Sequence, residues 1–472
     1  MRTRVLVTGG AGFLGSHVVD HLLEQNYEVA ILDSLDPQVH GDDPHRTGRW
    51  PDWTIAQVER GVNDLYHADV RDRGDVARAL RTFRPHVVVH LAAAVGVGQA
   101  EVEIERYVDV NVRGTAVLLE EVLRANDSAA EDAGVRRFVV AGSMSSYGEG
   151  AWVCPQHGPQ RPTRLAEDLA AGRWSPRCGG PQLVGKTGPA CTAELAPLPL
   201  EEWVSLRPSG VYAATKRDAE ELALLVGRAR GLSVAACRFF NIYGPRQALS
   251  NPYTGVCAIF AGRVLRGLAP RVYEDGGQAR DFVHVSDAAR AVEALCGHPD
   301  ADRAMRRWAD PKAQGSFNVG TGQPTTVLRV AELACEVLGP RALTGVDLTH
   351  VSLGRDGTLG VGGRVTSSEP ALRPEVTGAY RVGDVRACLA ASASPAGEIS
   401  RLRALGWEPK VAAGDGLREL FASWRGEVPT GDPEAAHDQI SGAGLLHLPP
   451  AAREAVDPIP AADEEGPPNQ WR

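Results

Sequence analysis

Three glycines spaced three residues apart constrain the fold of this chain more than any other feature. They are Gly9, Gly12 and Gly15. The apolar run Arg4–Thr8 precedes them, and helical spacing follows over His17–Gln25. A strand that turns directly into a helix needs glycine for the tight turn, for close approach of a pyrophosphate and for helix–strand packing. The pattern predicts a dinucleotide-binding turn, although a plain strand–helix turn would also fit it.

An acid closes the next apolar run. Glu28–Leu32 is typical of a buried strand, and Asp33 follows it about 20 residues after the glycines. A carboxylate there accepts hydrogen bonds from the hydroxyls of an adenosine ribose and would repel a 2′-phosphate. We therefore expect NAD rather than NADP as the cofactor. The alternative is that Asp33 only caps a turn.

Short apolar runs alternate with helical segments over residues 1–150, which is typical of a parallel sheet covered on both faces. The predicted fold class is α/β, with a doubly wound sheet and a smaller mixed α/β substrate domain. We expect the first domain over 1–240, with a loop insertion at 151–207, and the second mainly over 241–425. Part of 282–320 should return to the first domain. Residues 354–378 are expected to form another loop, and 426–472 a disordered tail.

Charge and composition narrow the function. The net charge of −9 argues against broad binding of nucleic acid or an anionic membrane. No run approaches the roughly 18 apolar residues that span a bilayer. The eight cysteines are scattered through a long chain, so we expect most to be reduced. Together these features favour a soluble cytoplasmic protein.

A tyrosine and a lysine four residues apart are the candidate catalytic pair. Tyr212 and Lys216 would share one face of a helix, where an ammonium favours the phenolate form of tyrosine. Ser143 follows a buried strand and would lie at the carboxyl end of the sheet, where such folds bind ligands. The alternatives are a solvated helix face for the pair and a turn cap for Ser143.

The order of motifs resembles the extended short-chain dehydrogenase/reductase family of sugar-nucleotide epimerases and dehydratases. Besides the glycines and Tyr212–Lys216, the chain carries Asp69-Val70, His90-Leu91-Ala92-Ala93 and Asn111-Val112-Arg113-Gly114-Thr115. The resemblance implies a Rossmann sheet and a homodimer paired through helices near 107–124 and 212–228. It also implies NAD contacts for Gly9, Gly12, Phe13, Leu14, Gly15, Asp33, Asp69, Val70, Leu91, Ala92, Ala93, Asn111, Tyr212 and Lys216.

The second half of the chain carries the motifs that the family uses for a sugar nucleotide. The resemblance implies that Asn241 lies near the sugar diphosphate and that Arg280 and Arg381 pair with its phosphates. Guanidinium groups suit diphosphate oxygens. Ser143 and Ser145 are expected to contact the sugar.

The residues after Ser143 bear on the reaction type. Family members that eliminate water carry an Asp-Glu pair where this chain has Met144 and Ser145, and related decarboxylases usually keep a glutamate at the second position. The resemblance therefore favours inversion of carbon 4, in a subgroup acting on a dTDP-6-deoxysugar. Another sugar-nucleotide epimerase, a decarboxylase or dehydratase, a net oxidoreductase and an NAD-sensing protein without activity are the alternatives.

A partial zinc pattern lies in the insertion. Proteins that this chain resembles often carry Cys-x-x-His followed by Cys-x-x-Cys here, which is the spacing of a structural zinc site. Cys154, His157 and Cys178 match that pattern, but Pro181 stands at the last position and Cys191 is irregularly spaced. Three good ligands are too few for a closed structural site. We therefore expect no metal, and these residues to be held by packing.

Overall fold

The computed structural model describes the following residues: 2–41, 46–129, 134–178, 191–249, 255–306, 315–339, 349–353, 359–363, 372–377, 386–388, 401–429 and 435–447. Arg381, expected to contact a phosphate, lies outside them.

The strands within these ranges are β1 Arg4–Thr8, β2 Glu28–Asp33, β3 Val62–His67, β4 Val87–His90, β5 Arg137–Ser143, β6 Ala151–Cys154, β7 Gly158–Gln160, β8 Ala196–Leu198, β9 Ser233–Phe239, β10 Asn241–Tyr243, β11 Arg271–Val272, β12 Ala279–His284, β13 Ser316–Val319, β14 Pro324–Thr326, β15 Thr349–Leu353, β16 Leu359–Gly363, β17 Glu375–Val376 and β18 Ala387–Cys388.

The helices are α1 Phe13–Glu24, α2 Pro37–His40, α3 Asp52–Glu59, α4 Arg73–Phe83, α5 Val97–Ala100, α6 Ile104–Tyr107, α7 Gly114–Asp127, α8 Ala166–Ala170, α9 Val211–Arg230, α10 Val256–Val264, α11 Val285–Gly297, α12 Ala301–Met305, α13 Val327–Leu338, α14 Ala413–Ser423 and α15 Ala435–Gly442. A π-helical segment, Val108–Arg113, joins α6 to α7, and 3₁₀ turns cover Met144–Tyr147 and Arg403–Leu405. None of the helices within the described ranges is both long and apolar enough to cross a bilayer.

A seven-stranded parallel sheet forms the centre of the molecule, in the order β13-β9-β5-β4-β1-β2-β3. Its apolar strands pack under α1 and α11 on one face and under α4, α7 and α9 on the other. The chain adds β2 and β3 on one side of β1, and then β4, β5, β9 and β13 on the other side. Where the side changes, between β1 and β4, a crevice opens at the carboxyl ends of the strands. This confirms the doubly wound fold expected from the sequence.

The chain after β9 forms a second, mixed assembly. Strands β10, β12, β14 and β18 make a four-stranded sheet, and β11 pairs with β17. Helices α10, α13 and α14 pack together beside it. Strand β13 and helix α11 lie instead on the central sheet.

The insertion that the sequence predicts as a loop contains regular structure. Strand β6 pairs antiparallel with β7 and β8, and α8 follows β7. Strands of three or four residues are too short to show a periodic pattern, which is why the sequence did not reveal them. Strand β16, which pairs antiparallel with β15, lies within the second predicted loop. Helix α15 lies within the segment for which we expected disorder.

Candidate active site

The glycine turn has the geometry that its spacing predicts. Gly9 has φ +71°, and a Cβ there would lie 2.7 Å from the backbone nitrogen of Ala92. A Cβ on Gly15 would collide with the Gly9 carbonyl oxygen. At Gly12 the nearest atom would be the Gly9 oxygen at 3.4 Å, an ordinary contact. The turn itself therefore requires glycine at 9 and 15, whereas position 12 is open within the protein.

The start of α1 offers backbone donors. No side chain caps this helix end, and within the described ranges nothing accepts from the N–H groups of Phe13 or Leu14. Such unpaired groups at the positive end of a helix suit phosphate oxygens.

Asp33 closes β2 beside this turn. Its carboxylate accepts hydrogen bonds from the N–H of Ala11 at 3.0 Å and the N–H of Leu35 at 2.9 Å. The His40 ring nitrogen Nε2 lies 3.9 Å from Asp33 Oδ1. Burial raises the pKa of the carboxyl, and these contacts oppose that rise. Asp33 thus braces the glycine turn, which agrees with the turn-capping role considered as the alternative from the sequence.

Asp69 is held by an arginine that sequence reasoning missed. Both of its carboxylate oxygens accept from the Arg71 guanidinium, at 3.0 and 2.6 Å, and Arg71 also reaches Asp109 at 2.7 Å. Burial alone would raise the pKa of Asp69, but the bonds from Arg71 bring it below its ordinary value. Val70 is buried against Gly114. The pair therefore ties the loop after β3 to the π-helical segment.

Asn111 fixes the loop Leu91–Ala94, which follows β4. Its side chain accepts from the Ala94 N–H at 2.8 Å and donates to the Ala94 carbonyl at 3.1 Å. It also donates to the Thr215 hydroxyl at 3.1 Å, on the helix that carries Tyr212. This buried amide therefore sets the distance between the loop and the catalytic helix.

A one-way chain of hydrogen bonds runs beneath the same loop. The Thr115 hydroxyl donates to the Asn111 carbonyl at 2.6 Å, so it must accept from His90 Nε2 at 3.0 Å. His90 Nδ1 then accepts from the Thr8 hydroxyl at 2.8 Å. Burial lowers the pKa of His90 to about 3. A neutral imidazole in one tautomer therefore joins β1, β4 and α7.

The structure brings the three predicted catalytic residues together. The Ser143 hydroxyl lies close to the Tyr212 hydroxyl and 2.8 Å from the Ser145 hydroxyl. Burial raises the pKa of Tyr212 to about 12, an effect that the nearby Ser143 hydroxyl opposes. Burial lowers the pKa of Lys216 to about 8. In the part of the chain that the structure describes, no group hydrogen-bonds or ion-pairs with the buried Lys216 ammonium.

Several residues that sequence reasoning missed hold the Tyr212 helix in place. The Tyr107 ring contacts the Tyr212 ring edge to face, with centroids 6.2 Å apart. The Glu101 carboxylate accepts from the N–H of Val211 at 2.9 Å, at the first residue of α9. A negative group there stabilises the helix. Neither residue carries a local sequence signal, because each acts from more than 100 positions away.

A buried ion pair lies one helical turn beyond Lys216. The Glu220 carboxylate accepts from the Arg238 guanidinium at 2.6 and 2.9 Å and from the Ser316 hydroxyl at 2.8 Å. Arg238 also donates to the Tyr147 hydroxyl at 2.7 Å. Tyr147 in turn donates to Asn318 at 2.8 Å. The network joins α9, β9, β13 and the turn after Ser143.

Two of the residues expected to contact the substrate, Asn241 and Arg280, belong to strands of the second sheet. Asn241 begins β10, and its side-chain oxygen is buried without a hydrogen-bond partner among the described residues. Arg280, on β12, donates to the Ala279 carbonyl at 3.0 Å and lies near Glu149. Asn241 closely follows Phe239, which is paired with Ser143, and Arg280 lies near Glu149. Both are therefore on the side of the molecule that carries Ser143.

A cluster of ion pairs that the sequence does not predict joins the insertion to the second sheet. Arg164 donates to Glu149 at 3.2 Å and to Glu274 at 2.8 Å, and Arg386 reaches Glu274 at 3.2 Å. Burial raises the pKa of Glu149 to about 7, which the charge of Arg164 opposes. Glu149 follows the Tyr147–Gly148 turn. The cluster therefore connects three regions of the chain, one of which follows Ser143 closely in sequence.

Tyr212 lies near Ser143, the last residue of β5, and Lys216 near His90, the last residue of β4, so both are beside the crevice of a doubly wound sheet. This arrangement defines the class as an extended short-chain dehydrogenase/reductase. A family model described as the NAD dependent epimerase/dehydratase family matches residues 5–168 and 184–320. The chain belongs to that family, and the expectation of NAD as the cofactor is confirmed.

Individual relatives agree. The chain is 29% identical over 421 residues to a dTDP-L-rhamnose 4-epimerase of Burkholderia thailandensis, covering 88% of this chain and 93% of that protein. It is 26% identical to a UDP-glucose 4-epimerase of Halalkalibacterium halodurans, with 90% and 97% covered. The Thermus thermophilus UDP-glucose 4-epimerase, crystallised with NAD, has a TM-score of 0.57 and 29% identity, with 90% of this chain and 100% of that chain covered.

The open space beside Gly12 allows its role in NAD binding to be tested by substitution with alanine. Gly12→Ala should leave the unfolding free energy of the cofactor-free protein within about 1 kcal/mol, because the added Cβ meets only an ordinary contact. It should weaken NAD binding by about tenfold or more, because a pyrophosphate must approach this backbone closely. Titration calorimetry measures the affinity. Gly414→Ala, in an open position on α14, is the control and should change neither quantity. Unchanged NAD affinity in Gly12→Ala would place the phosphates elsewhere.

Proposed function

We propose that this protein is an NAD-dependent epimerase that inverts carbon 4 of a nucleotide-activated sugar, with a dTDP-6-deoxysugar such as dTDP-L-rhamnose as substrate. The observation that carries the proposal is the convergence of Ser143, Tyr212 and Lys216, with Met144 and Ser145 directly after the serine.

The residues present fit NAD. The open side of Gly12, the unpaired N–H groups of Phe13 and Leu14 and the carboxylate of Asp33 suit its adenosine and phosphates. The Lys216 ammonium is buried without a partner among the described residues, as a group that binds a ribose hydroxyl would be. When bound, NAD supplies a nicotinamide ring that accepts hydride from carbon 4 of the sugar and returns it to the opposite face.

Tyr212 would be the base that takes the proton from the sugar 4-hydroxyl. With its pKa at about 12, the phenol needs help to ionise near neutral pH. The Lys216 ammonium, one turn away on the same face of α9, stays charged below its pKa of about 8 and favours the phenolate. The same phenol would return the proton when the hydroxyl is rebuilt.

Ser143 would bind the sugar oxygen that Tyr212 deprotonates. Its hydroxyl lies close to the Tyr212 hydroxyl, so a sugar oxygen placed beside the two would contact both. Ser145, 2.8 Å from Ser143, orients that hydroxyl. The 4-keto sugar must then turn so that its other face meets the cofactor, while the diphosphate stays held on the Asn241 and Arg280 side.

The side chains after Ser143 support epimerisation over elimination. Loss of water across carbons 5 and 6 needs an acid to protonate the departing hydroxyl. Met144 cannot supply a proton, and the pKa of a serine hydroxyl is far too high for Ser145 to act as an acid. The relatives named dTDP-L-rhamnose 4-epimerase and UDP-glucose 4-epimerase support the same reaction type.

The test is incubation of the purified protein with dTDP-, UDP- and GDP-sugars without added cofactor, followed by chromatographic separation of the carbon-4 epimers. We expect interconversion of epimers, fastest for dTDP-L-rhamnose, with no net NADH, because each hydride removed is returned. Accumulation of NADH would indicate a net oxidoreductase. Release of carbon dioxide from a uronic acid substrate would indicate a decarboxylase. The homodimer and the cytoplasmic location stay predictions, which the solution mass and cell fractionation would test.

A further inference from the structure

Four potential metal ligands in the insertion come together, although their spacing in the sequence is irregular. The ligand atoms of Cys154, His157, Cys178 and Cys191 all lie within 4.8 Å of one another. The sequence led us to expect no metal, because Cys191 follows no zinc pattern. The structure supplies the missing fourth ligand.

The distances inside this cluster match a tetrahedral site. Zinc–sulfur bonds of about 2.3 Å and zinc–nitrogen bonds of about 2.0 Å place two sulfurs about 3.8 Å apart and a sulfur and nitrogen about 3.5 Å apart. The Cys154 and Cys191 sulfurs are 3.9 Å apart. His157 Nδ1 lies 3.5 Å from the Cys154 sulfur and 3.3 Å from the Cys178 sulfur. One ion at the centre would be within bonding distance of all four ligand atoms, since these atoms lie within 4.8 Å of one another.

Two paired backbone segments position the ligands. Cys154 ends β6 and His157 lies in the turn before β7, where Cys154 is paired with Gly158. Gly158 has φ +72°, which lets the hairpin close. The backbone N–H of Cys178 donates to the Ala193 carbonyl at 2.9 Å. Next to this bond, an antiparallel β-bridge pairs Arg177 with Glu194. That bridge brings Cys191 near Cys178, which linear spacing cannot show.

The surroundings suit thiolate ligands. The Gln160 side-chain amide, which is outside the four ligands, donates to the Cys178 sulfur at 3.1 Å. Such outer donors stabilise and orient the sulfurs of a metal site. Three thiolates and one imidazole form a closed set that is typical of structural zinc.

We propose that Cys154, His157, Cys178 and Cys191 bind one structural zinc ion that closes the insertion. The cluster packs against Ala279, next to Arg280 on β12. The Trp152 indole donates to the Glu149 carbonyl at 2.7 Å, close to the catalytic turn. The ion therefore holds the small sheet of the insertion against both the second sheet and the segment after Ser143.

The first experiment measures metal in the full-length protein purified without chelator. Elemental analysis by inductively coupled plasma mass spectrometry should find about one zinc per chain. Cys178→Ser should lower this severalfold, whereas Cys335→Ser, a half-buried cysteine on α13 outside the cluster, should not. Cys191→His, which keeps a zinc ligand, should retain the metal. NAD binding by each variant shows that its nucleotide domain is folded, and does not depend on the proposed reaction.

The second experiment replaces zinc by cobalt during growth. Tetrahedral cobalt bound to thiolates gives sulfur-to-cobalt charge-transfer absorption, which we expect in the unaltered protein and in Cys335→Ser, and expect to weaken in Cys178→Ser. A protein without zinc and without this absorption would overturn the proposal. So would iron in place of zinc, or a disulfide between Cys154 and Cys191 found by mass spectrometry of the freshly purified protein.

Discussion

Replacing Tyr212 by phenylalanine should lower epimerase turnover by about 10²- to 10⁴-fold, the contribution expected of a positioned general base. The change removes the hydroxyl that lies close to Ser143 but keeps the ring that packs against Tyr107. The fold and NAD affinity should therefore stay nearly unchanged. Turnover is measured by separating carbon-4 epimers, and NAD binding by calorimetry.

Tyr107→Phe is the matched control. It removes the hydroxyl that donates to Gln99 at 3.1 Å and keeps the edge-to-face contact with Tyr212. Turnover should change by less than about tenfold, because this hydroxyl is not placed to move a substrate proton. Normal turnover in Tyr212→Phe would refute the assigned base, whichever sugar the protein uses.

Replacing Glu220 by glutamine should destabilise the fold by about 3–5 kcal/mol, because Arg238 would keep its charge in a buried position without a negative partner. Arg238 is 6% exposed and Glu220 is fully buried. The amide nitrogen that replaces one carboxylate oxygen is a donor, so it cannot accept from the guanidinium as both oxygens of Glu220 do. Urea unfolding followed by circular dichroism measures the loss.

An exposed pair gives the comparison. Arg230 and Asp127 are 3.0 Å apart, but their side chains are 46% and 66% exposed. Asp127→Asn should cost at most about 1 kcal/mol, as is usual for surface ion pairs. Equal losses in the two variants would show that burial of the Glu220–Arg238 pair does not set its contribution.

The sequence predicts those parts of the site that depend on local spacing. Gly9, Gly12 and Gly15 lie within one turn, and Tyr212 and Lys216 within one turn of a helix, so periodicity and residue type are enough to identify them. The parallel sheet follows from apolar runs, which record burial on both faces. The family and its cofactor then follow from the order of these motifs.

Contacts between distant segments could not be predicted in this way. Glu101 supports the start of α9 from 110 positions away, and the Glu149–Glu274–Arg386 cluster joins three separate regions. Each of these residues is an ordinary charged residue in its own segment. The same holds for Cys191, whose partner residues depend on a β-bridge, and for the insertion strands, which are too short to show alternation.

The hydrogen-bonded histidine at the end of β4 has a consequence for the whole cofactor crevice. Each hydroxyl and ring nitrogen of the chain from Thr8 to Asn111 has a fixed direction, so adding a proton to His90 would force the Thr8 hydroxyl to turn away. Because burial lowers the pKa of His90 to about 3, the imidazole stays neutral at physiological pH. The loop segment at Ala92 therefore keeps one conformation while Tyr212, in the proposed reaction, exchanges a proton with the substrate.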